Sequence, residues 1–213
     1  MSAPAPEALL QRVCAASTTV PEPRTLCASF DERVVTVWQA HSNAVADAAV
    51  AAGRFGGRAW RTDRVTRFRV SLPSLLARNG WATRPGRERI LAVHVSRGGF
   101  DALLRQAVHA SFEPELYPSR SGWLLATRYA NVTVAWHADV DPTGSDLPRQ
   151  TVRFGVRDAA LRELTSKWVV GVDDWTAWVV EHRDRATAAT PVPAVARYPM
   201  SDDARARLAG RAA

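Results

Sequence analysis

Gln39 and His41 stand two residues apart at the end of "RVVTVWQAH", a run rich in β-branched residues. Such a run reads as a strand. Side chains on a strand alternate with period two, so Gln39 and His41 share one face while Trp38 and Ala40 share the other. Trp38 and Ala40 are expected to face the core. The polar pair is expected to stand on the open face at a functional edge, against the plainer alternative that this face is merely solvated. Arg54 follows in "GRFGGR". That stretch matches neither the phosphate loop nor the dinucleotide glycine motif, and it reads as a basic turn or as a small phosphate-binding loop. The five histidines (41, 94, 109, 137 and 182) show no metal-ligand spacing with cysteine or with one another, so no metal site is expected. His94 alternates inside "LAVHVS" and reads as a packed or edge-strand histidine. There is no G-x-S-x-G elbow. The close pairs Asp139/Asp141 and Glu113/Glu115 read as solvated loop carboxylates. Of the eight tryptophans, Trp168, Trp175 and Trp178 read as core. Trp38 and Trp81 sit at element ends, where stacking on a ligand competes with packing.

Short elements must position these residues. Ser42 or Asn43 can cap a helix with Val45, Ala48, Ala49 and Ala52 on one face and Gly53 at its end. "VTRFRVS" alternates as a strand, and "LPSLLARNG" reads as a short helix opened near Pro73 and closed at Gly80. "ERILAVHVS" is a buried strand and "GGFDALLRQAVHAS" an amphipathic helix. "NVTVAWHA" and "QTVRFGV" are strands around the turn-rich "DVDPTGSDLPR". "RDAALRELTSKWVVGV" passes from helix to strand, "DDWTAWVVEHRDRA" is helical, and a proline-rich tether leads to a last short helix. Residues 1–24 read as a flexible arm with a short helix over Glu7–Ala16, and residues 25–211 as one domain. Short strands interleaved with short helices predict an α+β domain with a mixed, mostly antiparallel sheet.

The chain of 213 residues carries a formal net charge of +7 and a pI near 10.6, which favours polyanions such as nucleic acid or a phosphorylated ligand. Lys167 is the only lysine, so the basic side chains are otherwise arginine, which forks onto phosphate and stacks on rings. Part of that bias accompanies the abundance of alanine, since both have GC-rich codons. No run of about 18 apolar residues is present, so no membrane span is expected. The N-terminus lacks the pattern of a secretory signal, and Cys14 and Cys27 are too few for a disulfide scaffold; reduced thiols and a cytoplasmic location are expected.

The segments "FDERVVTVWQAHSNAVADAAVAAGRF", "LLARNGWATRPGRERILAVHVSRGGFDALLRQAV", "FEPELY", "KWVVGVDD" and "RYPM" resemble, in this order, the domain of unknown function 4291 family over Phe30 to Leu208. More distantly, the strand ending in aromatic–polar–small, the helix closed by Gly-Arg-Phe, "TRFRVSLPSLLARNG" and "RILAVHVS" resemble the front half of ADP-ribosyltransferase folds. That likeness implies an NAD cleft. Gln39 falls where a ribose-holding His or Arg stands, and His41 would help it orient ribose hydroxyls. Ser71 falls on the serine that supports nicotinamide. Gln150 or Arg153 stands where a late-strand glutamate is wanted. Arg69 and Arg54 would face the diphosphate, with Trp38 and Trp81 beside the ligand. The late strand has no acid, which opposes simple transferase chemistry. The resemblance therefore implies an ADP-ribosyltransferase-like enzyme binding NAD or a related nucleotide. The alternatives are a non-catalytic basic RNA- or nucleotide-binding module and a tailoring enzyme acting on a small metabolite in the same cleft.

Overall fold

The computed structural model describes Leu10 and residues 23–209. Apart from Leu10, the helix expected over Glu7–Ala16 falls outside the described residues, as does Cys14.

Strand β2 (Val34–His41) organises the sheet. All eight of its residues pair antiparallel with β4 (Arg89–Ser96), from Val34↔Ser96 to His41↔Arg89. Its other edge is divided. The first half takes β1 (Cys27–Phe30) through Ser29↔Thr36 and Phe30↔Val35. The end takes β3 (Thr66–Arg69) at Trp38↔Arg69. From this fork one arm leads through β1 to β9 (Ala196–Arg197). The other leads through β3 to β7 (Asp146–Val156), β6 (Val132–Val140) and β5 (Ala107–His109). The far edge of β4 takes β8 (Val169–Asp174). Only β5 and β6 pair in parallel among the described strands, so the chain is one α+β domain with a curled mixed sheet, mostly antiparallel.

Helices interleave with the strands: α1 (Asn43–Ala52), α2 (Leu72–Asn79), α3 (Arg97–Gln106), α4 (Arg120–Tyr129), α5 (Asp158–Glu163), α6 (Thr176–Arg183) and α7 (Asp202–Leu208). None among the described residues is long and apolar enough to cross a membrane. The larger apolar cluster takes Val35 and Val37 of β2, Phe68 of β3 and Val152, Phe154 and Val156 of β7. A second cluster covers the opposite face of β2 and β4, where Trp38, Ile90 and Ala92 meet Leu72 and Leu76 of α2 and Trp178 of α6. Trp38 and Trp175, both fully buried, meet edge to face with ring centroids 5.0 Å apart.

Both faces of β2 are therefore covered, and this corrects the expected open face. Gln39 is buried, as is Trp38 before it, while Ala40 and His41 are half-buried. Other local expectations also shift. The helix from Arg97 stops at Gln106, because Ala107–His109 leave it to hydrogen-bond beside β6. The buried stripe of α1 is Val45, Ala46 and Ala49, with Ala48 half-buried and Ala52 exposed, because the helix lies against β8 and β4. Arg24, assigned to the flexible arm, is held. Its amide donates to Gln150 Oε1 (2.7 Å) and its guanidinium to Glu113 (2.7 Å).

Replacing Trp38 with alanine should lower stability by about 3–5 kcal/mol, as loss of a large buried aromatic does. Urea denaturation measures this, and a loss below about 1 kcal/mol would show that the second cluster does not support the sheet.

Candidate functional site

A cleft of about 710 Å³ opens at the end of β2, over β3 and β7 and beneath α2. Alternation along β3 sends Phe68 into the larger core and leaves Arg67 and Arg69 on the other face. Arg153 of β7 pairs directly with Arg69 and joins them. Arg64 enters from the loop before β3, Arg78 from α2, and Arg84 and Arg87 from the segment that follows it. Seven arginines thus line one cavity, and among the described residues no carboxylate does. None of the seven makes an ion pair with a carboxylate among those residues. A smaller pocket of about 340 Å³ continues past Arg69, Arg78 and Arg153 toward Ser74 and His137.

The geometry of α2 sets one wall. Ser71 caps the helix, accepting the Ser74 amide at 3.3 Å, and Pro73 occupies the first turn. The Ser71 hydroxyl donates to Asp139 Oδ1 at 2.6 Å, and Arg149 Nε donates to Asp139 Oδ2 at 2.8 Å. A register shift between Ala138 and Val140 accompanies the burial of this carboxylate, which the sequence had suggested was solvated. At the other end of α2, Gly80, Trp81 and Ala82 are all left-handed, with φ of 60°, 52° and 68°. Such a conformation costs a non-glycine residue roughly 1–2 kcal/mol. Here it is stabilised by burying Ala82 and packing Trp81 on the second cluster. The turn, closed by Thr83 N–H on Gly80 O (3.2 Å), leads into the rim that carries Arg84 and Arg87. Asn79 Nδ2 then holds that rim by donating to Arg87 O at 2.9 Å.

Arg69 is the most enclosed of the seven, 8% exposed. It donates to Ser74 Oγ at 2.9 Å and is hydrogen-bonded to His137 Nε2. Burial, reinforced by Arg153 and Arg78 and opposed by Asp139, pulls its pKa down to about 10. Burial and the charges of Arg67 and Arg78 also lower that of Arg153. The same field reaches two histidines. Burial, then Arg69 and Arg153, lowers His137 to about 4. Burial, then Arg64 and Arg87, lowers His41 to about 4. Both rings are neutral near pH 7, so His137 Nε2 is the acceptor for Arg69. His41 stands against Phe55 and Trp60 with centroids 5.3 and 5.8 Å away.

Of the residues singled out in the sequence, the cleft gathers His41, Arg69 and Arg153. Gln39 lies outside its lining and ties strands together, donating to Arg67 O (3.2 Å) and accepting from His41 Nε2 (3.2 Å). Ser71 is a helix cap and Gln150 anchors Arg24. Trp38 is core, Trp81 packs on the second cluster, and Arg54 is exposed outside the lining. Arg64, Arg67, Arg78, Arg84 and Arg87 were missed. Their signal was present as arginine recurring through "RTDRVTRFR" and "RNGWATRPGR".

Residues 25–199 match the family described as Domain of unknown function (DUF4291), and the chain belongs to it. No curated protein matches the chain.

Two outcomes follow from the electrostatics. His41 and His137 titrate near 4 when folded and near 6.5 when unfolded, so the unfolded chain takes up protons first as pH falls. Their stabilisation is complete above about 6.5 and lost down to about 4. The Tm should fall across that window, and His41→Gln with His137→Gln should flatten the fall; an unchanged profile contradicts the assignment. Arg153→Gln relieves like-charge repulsion, so its Tm should exceed the parent's at low ionic strength, with the gap closing as salt screens the cluster. A variant that melts lower at every salt concentration contradicts the repulsion.

Proposed function

We propose that the protein binds a nucleotide or nucleotide derivative by its phosphates in this cleft. The observation that carries the reading is the set of seven arginines lining one cavity without a carboxylate among the described residues. Guanidiniums match phosphate oxygens bidentately, and an anion in their midst turns mutual repulsion into attraction. The cavity of about 710 Å³ lies within the range of small-molecule sites.

NAD and ADP-ribose belong to this ligand class, and an ADP-ribosyltransferase-like fold would bring them here. The chemistry of such a transferase asks for a carboxylate beside a developing oxocarbenium cation. The late strand offers Arg153 at that wall, and a guanidinium opposes such a cation. The site thus favours phosphate binding over glycosyl transfer.

A thermal-shift series with NAD, ADP-ribose, ATP and nucleoside monophosphates tests the reading. A ligand at about 100 times its Kd should stabilise the fold by about 2.7 kcal/mol. Arg78→Ala combined with Arg153→Ala should abolish the shift. Gln39→Ala, which removes a side chain outside the lining and no arginine, should lower the Tm and weaken ligand binding far less than the double arginine variant. No shift with any of these ligands on folded protein, or an equal shift in the double arginine variant, would overturn the proposal.

A further inference from the structure

The charge of the cleft exceeds what a small nucleotide neutralises. The chain carries 28 basic and 21 acidic residues. The cleft gathers seven of the basic residues. What sets the cleft apart is that its seven arginines face one cavity with no carboxylate in its lining among the described residues. A phosphate monoester brings about two negative charges. A nucleic-acid strand brings one per phosphodiester, repeated along its length. Seven guanidiniums distributed around a cavity suit the second pattern, with successive phosphates meeting successive arginines.

A second pocket adjoins the cavity. The neighbouring pocket of about 340 Å³ shares Arg69, Arg78 and Arg153 with the main one, so the cationic lining continues from the rim of Arg84 and Arg87 to Ser74 and His137. At the opposite end the His41 ring lines the cavity, with Phe55 and Trp60 packed against it at 55° and 63°. A positively charged groove that tracks the backbone is one of the elements that hold single-stranded nucleic acid. The concavity, walled by α2 and the turn at 80–82, suits one strand rather than a duplex.

We infer that the ligand of this cleft is a single-stranded nucleic acid, threaded through both lobes. This rests on the phosphate-binding reading above and names its substrate class. Fluorescence anisotropy with labelled decamers tests it, using RNA and DNA of one sequence, the corresponding DNA duplex, and ATP as the mononucleotide arm. Either single strand should bind at least tenfold more tightly than ATP and than the duplex; the sugar that binds better identifies the natural strand. The plot of log affinity against log salt should have a slope of about −3 to −5, for four to seven phosphates on a single strand. Arg78→Ala and Arg84→Ala, both at exposed positions, should each weaken binding and reduce that slope by about 0.7. Arg162→Ala, exposed outside both cavities, should change neither. If ATP binds and the decamers bind no more tightly, the strand is overturned while the nucleotide cleft stands. If neither binds, both fail. Equal slopes in all three variants would place any bound strand elsewhere and overturn the inference.

Discussion

A guanidinium enclosed to 8% exposure with no carboxylate partner among the described residues is the constraint on which this site turns. Arg69 keeps a positive charge where burial disfavours it and where Arg153 and Arg78 repel it. Its support is neutral: the Ser74 hydroxyl and the His137 ring, the latter kept neutral by the same arginines. The nearest compensating carboxylate, Asp139, is already engaged by Ser71 and Arg149. The fold therefore holds Arg69 in place without a neutralising carboxylate among the described residues, as the proposed anion site requires.

The architecture explains how such a cluster survives. The fork in β2 brings β3 and β7 together at the Trp38 end, and their pairing sets Arg69 opposite Arg153. Phe68 stacks on Phe154 on the reverse face, so burial of apolar surface there offsets repulsion between the arginines. The second cluster, centred on Trp38 and Trp175, fixes α2 over the sheet, and the Ser71–Asp139 bond fixes its start. Stability and charge are thus assigned to opposite faces of the same two strands. Such an arrangement costs free energy through repulsion among the arginines, which the anion proposed for the cleft would relieve.

Much of the scaffold was legible in the sequence because its signals are local. The β-branched run of β2, Pro73 and Gly80 around α2, and Gly53 after α1 each state their structure within a few residues. The four-residue β1 lacked such a signal, and α4 buries no residue, so neither periodicity nor patterning announced them. The site was legible only in part. His41, Arg69 and Arg153 were named, but the arginines at 64, 67, 78, 84 and 87 converge from four separate segments through the sheet fork and the left-handed turn at 80–82. Gln39 misled because alternation predicts which side a residue faces, whereas exposure depends on what covers that side. Here the side chain is enclosed and hydrogen-bonds to Arg67 O and His41 Nε2.

The central claim is that the seven arginines act as one anion site. The most direct test is a titration with tripolyphosphate followed by ¹H–¹⁵N NMR of the arginine Nε–H resonances, at constant ionic strength. Perturbations should centre on Arg64, Arg67, Arg69, Arg78, Arg84, Arg87 and Arg153 and saturate with one common Kd. Changes spread evenly over arginines remote from the cleft, such as Arg105, Arg162 and Arg183, or saturating with unrelated constants, would contradict it.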